Sequence, residues 1–435
     1  MPDCKWFLIT QQSCKGTSTK IGVSHPDHSA ASITKTSLVS AAMDSDLENL
    51  RLKAQNLDAA GRIQFMKGLR DLQLSIETPA DTLNRYSGLH LEVAGTRVGG
   101  DLGLFELLSS SAPAPLGVQE LASKTGAAPL LISRIARYLA SIGTIAETGP
   151  GTFTANSITK TLAEPGYKGC IRHFFDNCGP VFQALPEFLA EVKYQDVTDS
   201  AQTAFQKAFS TDLPAFMWFP TQPEQFNHFQ QAMTVQGRQG TQWFTAFPFE
   251  KEASDMATRE TVLVDVGGGF GHQSARLLEA FPQLAGKLVV QDLPATFAML
   301  PPPAQGLLSK DSPIKAQPHD FFTPQPVKGA RFYYLRNVLH DWPDDKCVEI
   351  LRNLADAFGP QDQPSHILID EMVLPDQGVP WQATTLDLTM MGALASRERT
   401  VGEWHDLLDR AGLKVLRIDT YALDKRDSII QVGRK

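Results

Sequence analysis

The chain has 435 residues, enough for two or three domains at roughly 150 residues each, and with 42% hydrophobic and 20% charged residues it has the composition of an ordinary folded protein. Forty Lys and Arg stand against 48 Asp and Glu, a net charge of −8, which argues against a protein built to coat nucleic acid. No apolar run nears the roughly 18 residues of a membrane span, and five irregularly spaced cysteines without a C-x-x-C pair read as free thiols, so that a cytosolic location is expected in the absence of a secretory or transit signature.

Residues 1–45 are rich in Ser and Thr, lack helical periodicity and read as a disordered tail. From Leu47 apolar residues recur at helical intervals through Leu72, and Pro79 restarts a second helix, opening a helical domain over 46–165. Within it, 101–154 gives three short helices followed by two extended pieces around the turn Gly149-Pro150-Gly151, the order of a winged helix-turn-helix. The third of these helices carries Arg134 and Arg137 as its only cations on a mainly apolar surface. Dimerisation or packing, rather than DNA recognition, is therefore expected of it.

Residues 166–257 read as helical and unusually aromatic, a segment suited to line a pocket for a flat ligand. Phe226, Phe229 and Met233 are the candidates there. From 258 to the C-terminus strands alternate with helices: Val262 to Val266, Leu288 to Gln291, Phe332 to Leu335 and Ile367 to Ile369 predict a parallel sheet with helices on both faces. Thr400 and Glu403 have capping-box spacing at the start of the last helix. The two terminal strands, Lys414 to Asp419 and Ser428 to Val432, are too close for a crossover and should pair antiparallel.

The run Val264-Asp265-Val266-Gly267-Gly268-Gly269-Phe270-Gly271-His272 places a strand, a glycine turn and a helix start in succession, exposing backbone amides to a ligand. The sixth position of a dinucleotide fingerprint is His272, which disfavours pyrophosphate. Asp292 falls 21 positions after Gly271 at a strand end, where an acid can accept from a ribose diol. Asp320 and Phe321 offer a carboxylate and a ring for an adenine. Three ionisable groups complete the edge: His340, Glu371 and Glu398. A neutral imidazole can take a proton from a phenol, and a carboxylate on its other nitrogen would fix its tautomer and stabilise the imidazolium.

These motifs, VDVGGGFGH (264–272), VVQDLP (289–294), HDFF (319–322), LRNVLHDWPDD (335–345), DEMVLP (370–375) and RERT (397–400), resemble those of the fungal S-adenosylmethionine-dependent O-methyltransferases of the caffeic acid O-methyltransferase-like family. The resemblance covers the chain from about residue 47 to its end. It implies an α/β fold: a Rossmann-like class I methyltransferase domain, mostly parallel with an antiparallel C-terminal hairpin, behind a helical winged-helix domain that forms homodimers. It implies S-adenosylmethionine as cofactor, held by Gly267, Gly268, Gly269, Gly271, Asp292, Asp320, Phe321 and Arg336. His340 matches the family's general base and Glu371 and Glu398 the two acids that bracket it, with no metal expected. A pocket drawing on Phe226, Phe229, Met233, Asn337, Met390 and Met391 would suit a flat apolar acceptor, so the expected reaction is methylation of a phenolic hydroxyl on a polyketide-type secondary metabolite. The alternative is a pericyclase on the same scaffold that keeps the cofactor, transfers no methyl and leans on residues near His173, Arg336 and Asn337.

Overall fold

The computed structural model describes residues 43–235, 241–298, 300 and 306–435. Of the predicted tail, 1–42 lies outside the described residues, and 43–45 already belong to a helix over 43–54. The chain divides into two units, Met1–Leu72 and Gln73–Lys435. The described part of the first is helix 43–54 and the greater part of helix Ala59–Ile76, which buries no residue and exposes Met66, Leu69 and Leu72.

The second unit opens with helix Pro79–Asp101, started as predicted: Thr78 caps it reciprocally with Asp81, and proline stands at the first helical position. Helices Leu104–Ser111, Val118–Thr125 and Pro129–Ser141 follow, with strands β1 (Leu116–Gly117), β2 (Ala146–Gly149) and β3 (Thr152–Thr154) pairing antiparallel in the order β1-β3-β2. Leu104, Phe105, Leu108, Leu121, Ile132, Leu139 and Phe153 form their shared core. Strand β1 escapes notice in the sequence because it is two residues long.

The next segment is helical, with a π-helical turn at His173–Cys178 and helices Gly179–Glu191, Ala204–Phe209 and Pro223–Val235. Its inner face is an aromatic cluster containing Phe205, Trp218, Phe219 and Phe226. The rings of the segment expected over 166–257 divide between two cores. Trp243, Phe247 and Phe249 belong to the core of the large sheet, with Trp243 stacked on Tyr334 at 4.9 Å, because rings that size find their burial on the strand face rather than on neighbouring short helices.

That sheet is built from β4 (Leu263–Val266), β5 (Leu288–Asp292), β6 (Ile314–Pro318), β7 (Phe332–Arg336), β8 (His366–Leu374), β10 (Leu413–Ala422) and β11 (Asp427–Arg434), in the order β10-β11-β8-β7-β4-β5-β6, with β9 (Arg399–Thr400) added to the far end of β8. From β8 to β6 all pairs are parallel, and the terminal hairpin adds antiparallel, as expected. Strand β8 runs well past its apolar stretch because Asp370 and Glu371 continue it in buried positions. From β4 the chain runs outward through β5 to β6 and then crosses back to place β7 on the other side of β4, so the carboxyl ends of β4 and β7 flank the switch point, the place where such sheets bind ligands. Among the described residues no helix is long and apolar enough to cross a membrane.

Candidate active site

At the end of β4, Gly267, Gly269 and Gly271 have φ of +69°, +55° and +76°. A side chain at Gly267 would also bring its Cβ to 2.9 Å from Val338, so the loop needs glycine on both conformational and steric grounds. Gly271 starts helix His272–Ala280, while a Cβ at Gly269 would meet open space. The Gly269 amide donates to Asp292 Oδ2 at 2.8 Å, and Asp292 Oδ1 accepts from the Leu293 amide at 2.8 Å and the Thr296 hydroxyl at 2.7 Å. The predicted ribose ligand is thus locked to the glycine loop; burial raises its pKa against those hydrogen bonds. Below it the buried amides of Gln291 and Gln325 exchange two hydrogen bonds of 2.8 Å, tying the end of β5 to the loop that carries Asp320 and Phe321. Phe321 lies beside Gly267, and exposed Asp320 accepts from the Phe322 amide at 3.0 Å. An acid fixed to a glycine loop that opens on free space, with a ring alongside, fits a nucleoside cofactor.

Arg336 ends β7, where its Nη1 donates to Asp370 Oδ2 at 2.5 Å and to the Tyr421 hydroxyl at 2.6 Å. Tyr334 and Tyr421 both donate to Asp370. Burial opposes the guanidinium charge, but Asp370 outweighs it and holds the Arg336 pKa well above its ordinary value. Asn337 takes a left-handed φ of +48°, which Asn tolerates better than most side chains, and its amide donates to the Asp370 carbonyl. The sequence missed Tyr334, Asp370 and Tyr421 as partners of Arg336.

His340 is 6% exposed in the short helical turn Leu339–Asp341. Its Nδ1 lies 2.8 Å from Glu398 Oε1 and 3.7 Å from Glu371 Oε2, and its Nε2 lies 3.5 Å from Asp341 Oδ1. The two glutamates therefore do not bracket the ring. Both approach the same nitrogen, and Glu371 spends its other oxygen on the turn itself, accepting from the amides of Val338 and Leu339 at 2.9 Å and of His340 at 3.3 Å. That division follows from β8: Glu371 projects under the turn after β7, whereas Glu398 arrives on the segment after helix Trp381–Leu394 and is fixed by its own amide donating to Asp387. Burial pushes Glu371 up to about 7 and Asp341 up to about 6, the His340 charge opposing in both cases. The ligand atoms of His340, Glu371 and Glu398 lie within 4.8 Å of one another, a spacing a divalent cation could span. A cation there would have to displace Nδ1 from Glu398.

Phe226 is a core residue, 7% exposed. Phe229 is half-buried and stacks on Phe219 at 5.2 Å, and Phe216 lies 6.2 Å from Phe229 and stacks on Trp342 at 6.1 Å. Trp342 in turn meets Phe321 edge-on at 6.0 Å. A line of rings thus runs from the helical segment to Phe321, by way of Trp342 two residues after His340. Trp342 is the member that nothing in the sequence singles out, while Phe216 belongs to the aromatic segment read as a possible pocket lining. Met233, Met390 and Met391 are half-buried, and Met390 packs on the same aromatic cluster.

Residues 188–414 match the family model of the O-methyltransferase domain. The O-methyltransferase lepI of Aspergillus flavus is 42% identical over 370 residues, covering 85% of this chain and 93% of that protein. The demethylsterigmatocystin 6-O-methyltransferase of the same species is 40% identical over 395 residues, 90% of this chain and 99% of that one. A solved structure of LepI in complex with SAM superposes with a TM-score of 0.85 at 38% identity, over 91% of this chain and 100% of that chain, and a structure described as a pericyclic reaction enzyme does so equally well. The chain belongs to the fungal S-adenosylmethionine-dependent O-methyltransferases. It is an enzyme of that class, with S-adenosylmethionine as its cofactor.

Proposed function

We propose that the enzyme methylates a phenolic hydroxyl of a flat, polyketide-type metabolite with His340 as general base. The observation that carries this reading is the buried imidazole whose Nδ1 faces Glu398 at 2.8 Å, an arrangement that fixes the tautomer and leaves Nε2 to receive a proton. The glycine loop, Asp292, Asp320 and Phe321 would hold the cofactor, with Arg336 contributing its charge at the end of β7. When bound, the cofactor supplies a methyl group already activated by a sulfonium. His340 Nε2 takes the hydroxyl proton as the oxygen becomes nucleophilic, and Glu398 stabilises the resulting imidazolium. Phe216, Phe229, Trp342 and the adaptable Met390 and Met391 would seat the acceptor ring. His340→Ala should lower S-adenosylhomocysteine release from a phenolic panel by about 10²- to 10⁴-fold while cofactor affinity stays within a fewfold; undiminished turnover would remove the assignment.

A second reading, pericyclic chemistry with the cofactor retained, is supported by the similar structure described as a pericyclic reaction enzyme. Product formation without S-adenosylhomocysteine release would favour it. We further infer a homodimer. The helices and hairpin over 104–154 would form its winged-helix module, and helix Pro79–Asp101 leaves Leu83 69%, Tyr86 61% and Leu91 55% exposed. Free thiols at Cys170, Cys178 and Cys347 are consistent with a cytosolic location.

A further inference from the structure

The turn Leu339–Asp341 is too short to satisfy its own backbone, so its amides and carbonyls must find partners elsewhere. Its amide side is taken by Glu371. The carbonyl side is taken by a segment that enters after Ala395, whose left-handed φ of +55° ends helix Trp381–Leu394 and turns the chain back. Arg399 in that segment is fully buried, and its guanidinium donates to Leu339 O at 3.1 Å, Trp342 O at 3.2 Å and Asp344 Oδ1 at 2.8 Å, with longer bonds of 3.5 Å to Arg397 O and Cys347 Sγ. The indole of Trp404 lies 5.3 Å from its carbon. The Ser396 hydroxyl faces the carbonyl of His340 and that of Trp342, the latter at 2.9 Å. A buried guanidinium is costly unless its donors are matched, and two of its partners here are the carbonyls on either side of the presumed base.

We propose that Arg399 and Ser396 are positioning residues for His340, clamping the carbonyl side of its turn while Glu371 clamps the amide side. This inference rests on the reading of His340 as the base. Glu398 is the residue next to Arg399, so one stretch of four residues delivers both the partner of the imidazole and the clamp on the backbone that bears it. Ring and carboxylate are thereby held as one unit rather than by two independent loops. Lysine cannot replace Arg399, because a single ammonium cannot reach Leu339 O, Trp342 O and Asp344 together.

The test uses the full-length enzyme labelled with ¹⁵N-histidine, as wild type, Ser396→Ala, Arg399→Lys and His340→Ala, each measured for cofactor affinity, S-adenosylhomocysteine release and the Nδ1–H resonance of His340. The proposal expects Ser396→Ala to keep cofactor affinity within about twofold yet lower kcat severalfold, and Arg399→Lys to lower kcat by about 10²-fold, the scale of a misplacement near 1 Å. In both, the downfield Nδ1–H signal from the Glu398 hydrogen bond should shift or broaden. If Arg399→Lys does not fold, Ser396→Ala decides. An unchanged signal and unchanged kcat in the folded variants overturn the positioning role alone when His340→Ala is inactive. Full turnover by His340→Ala overturns the base reading and the proposal with it.

Discussion

Burial strips water from His340 and favours the neutral ring, but the carboxylates of Glu371 and Glu398 favour the cation and prevail, with Asp341 on the other nitrogen acting in the same direction. The pKa is therefore well above the ordinary imidazole value near 6.5. Since only the neutral ring can accept a proton, kcat/KM should rise with pH through a midpoint above that value, and Glu398→Gln should move the midpoint down by removing a negative charge 2.8 Å away. A pH–rate series on both proteins checks this; a midpoint that does not move places the titration elsewhere. His340, Glu371 and Glu398 were legible in the sequence because each is an ionisable residue next to a predicted strand or helix end, although Glu371 lies inside β8. Their partners were not. Tyr421 meets Arg336 across 85 positions, and Arg399 is a buried cation whose acceptors include backbone carbonyls that no residue type reveals.

At the scale of elements, the glycine loop makes the sharpest demand. Gly267→Ala forces an L-residue to φ +69° and drives its Cβ toward Val338. A loss of about 1–2 kcal/mol is expected from the backbone alone, read as a lower melting temperature together with weaker cofactor binding by calorimetry. A variant with wild-type melting and affinity would show that the loop relaxes freely. Strands β4, β5 and β7 announced themselves through mainly apolar, β-branched or aromatic runs, the mark of parallel strands buried on both faces. Strand β6 did not, because Ile314–Pro318 lies at the sheet edge and buries only Ile314 completely. Strand β8 was read as ending early because its acids resemble a loop, although they are buried within it.

For the molecule as a whole, the alternation of strands and helices was enough to give the sheet and its antiparallel hairpin, while the packing of the aromatic residues that precede it was not legible. Aromatic content does not say which of two adjacent cores a ring will enter, and Trp243, Phe247 and Phe249 chose the sheet. The apolar side chains left exposed on helix Pro79–Asp101 lead to an expectation on assembly. The enzyme should sediment as a dimer, and Leu83→Glu with Leu91→Glu should yield monomers that stay folded by circular dichroism. A wild-type monomer at micromolar concentration would end that reading.

Asp370 and Glu371 are consecutive on β8, so the pleat sends them to opposite faces: the first anchors Arg336 and Tyr421, the second the turn that bears His340. The pairing of β8 with β11 runs without a bulge through both, and its pairing with β7 reaches Asp370. A codon lost between His366 and Ile369 would exchange the two carboxylates, stranding Arg336 without its anion and the His340 turn without its acceptor. Length variation that preserves chemistry is consequently expected outside the strand, and the loop at 375–380, which leaves the carboxyl end of β8 on the crevice side, is the natural place to graft a new acceptor lid.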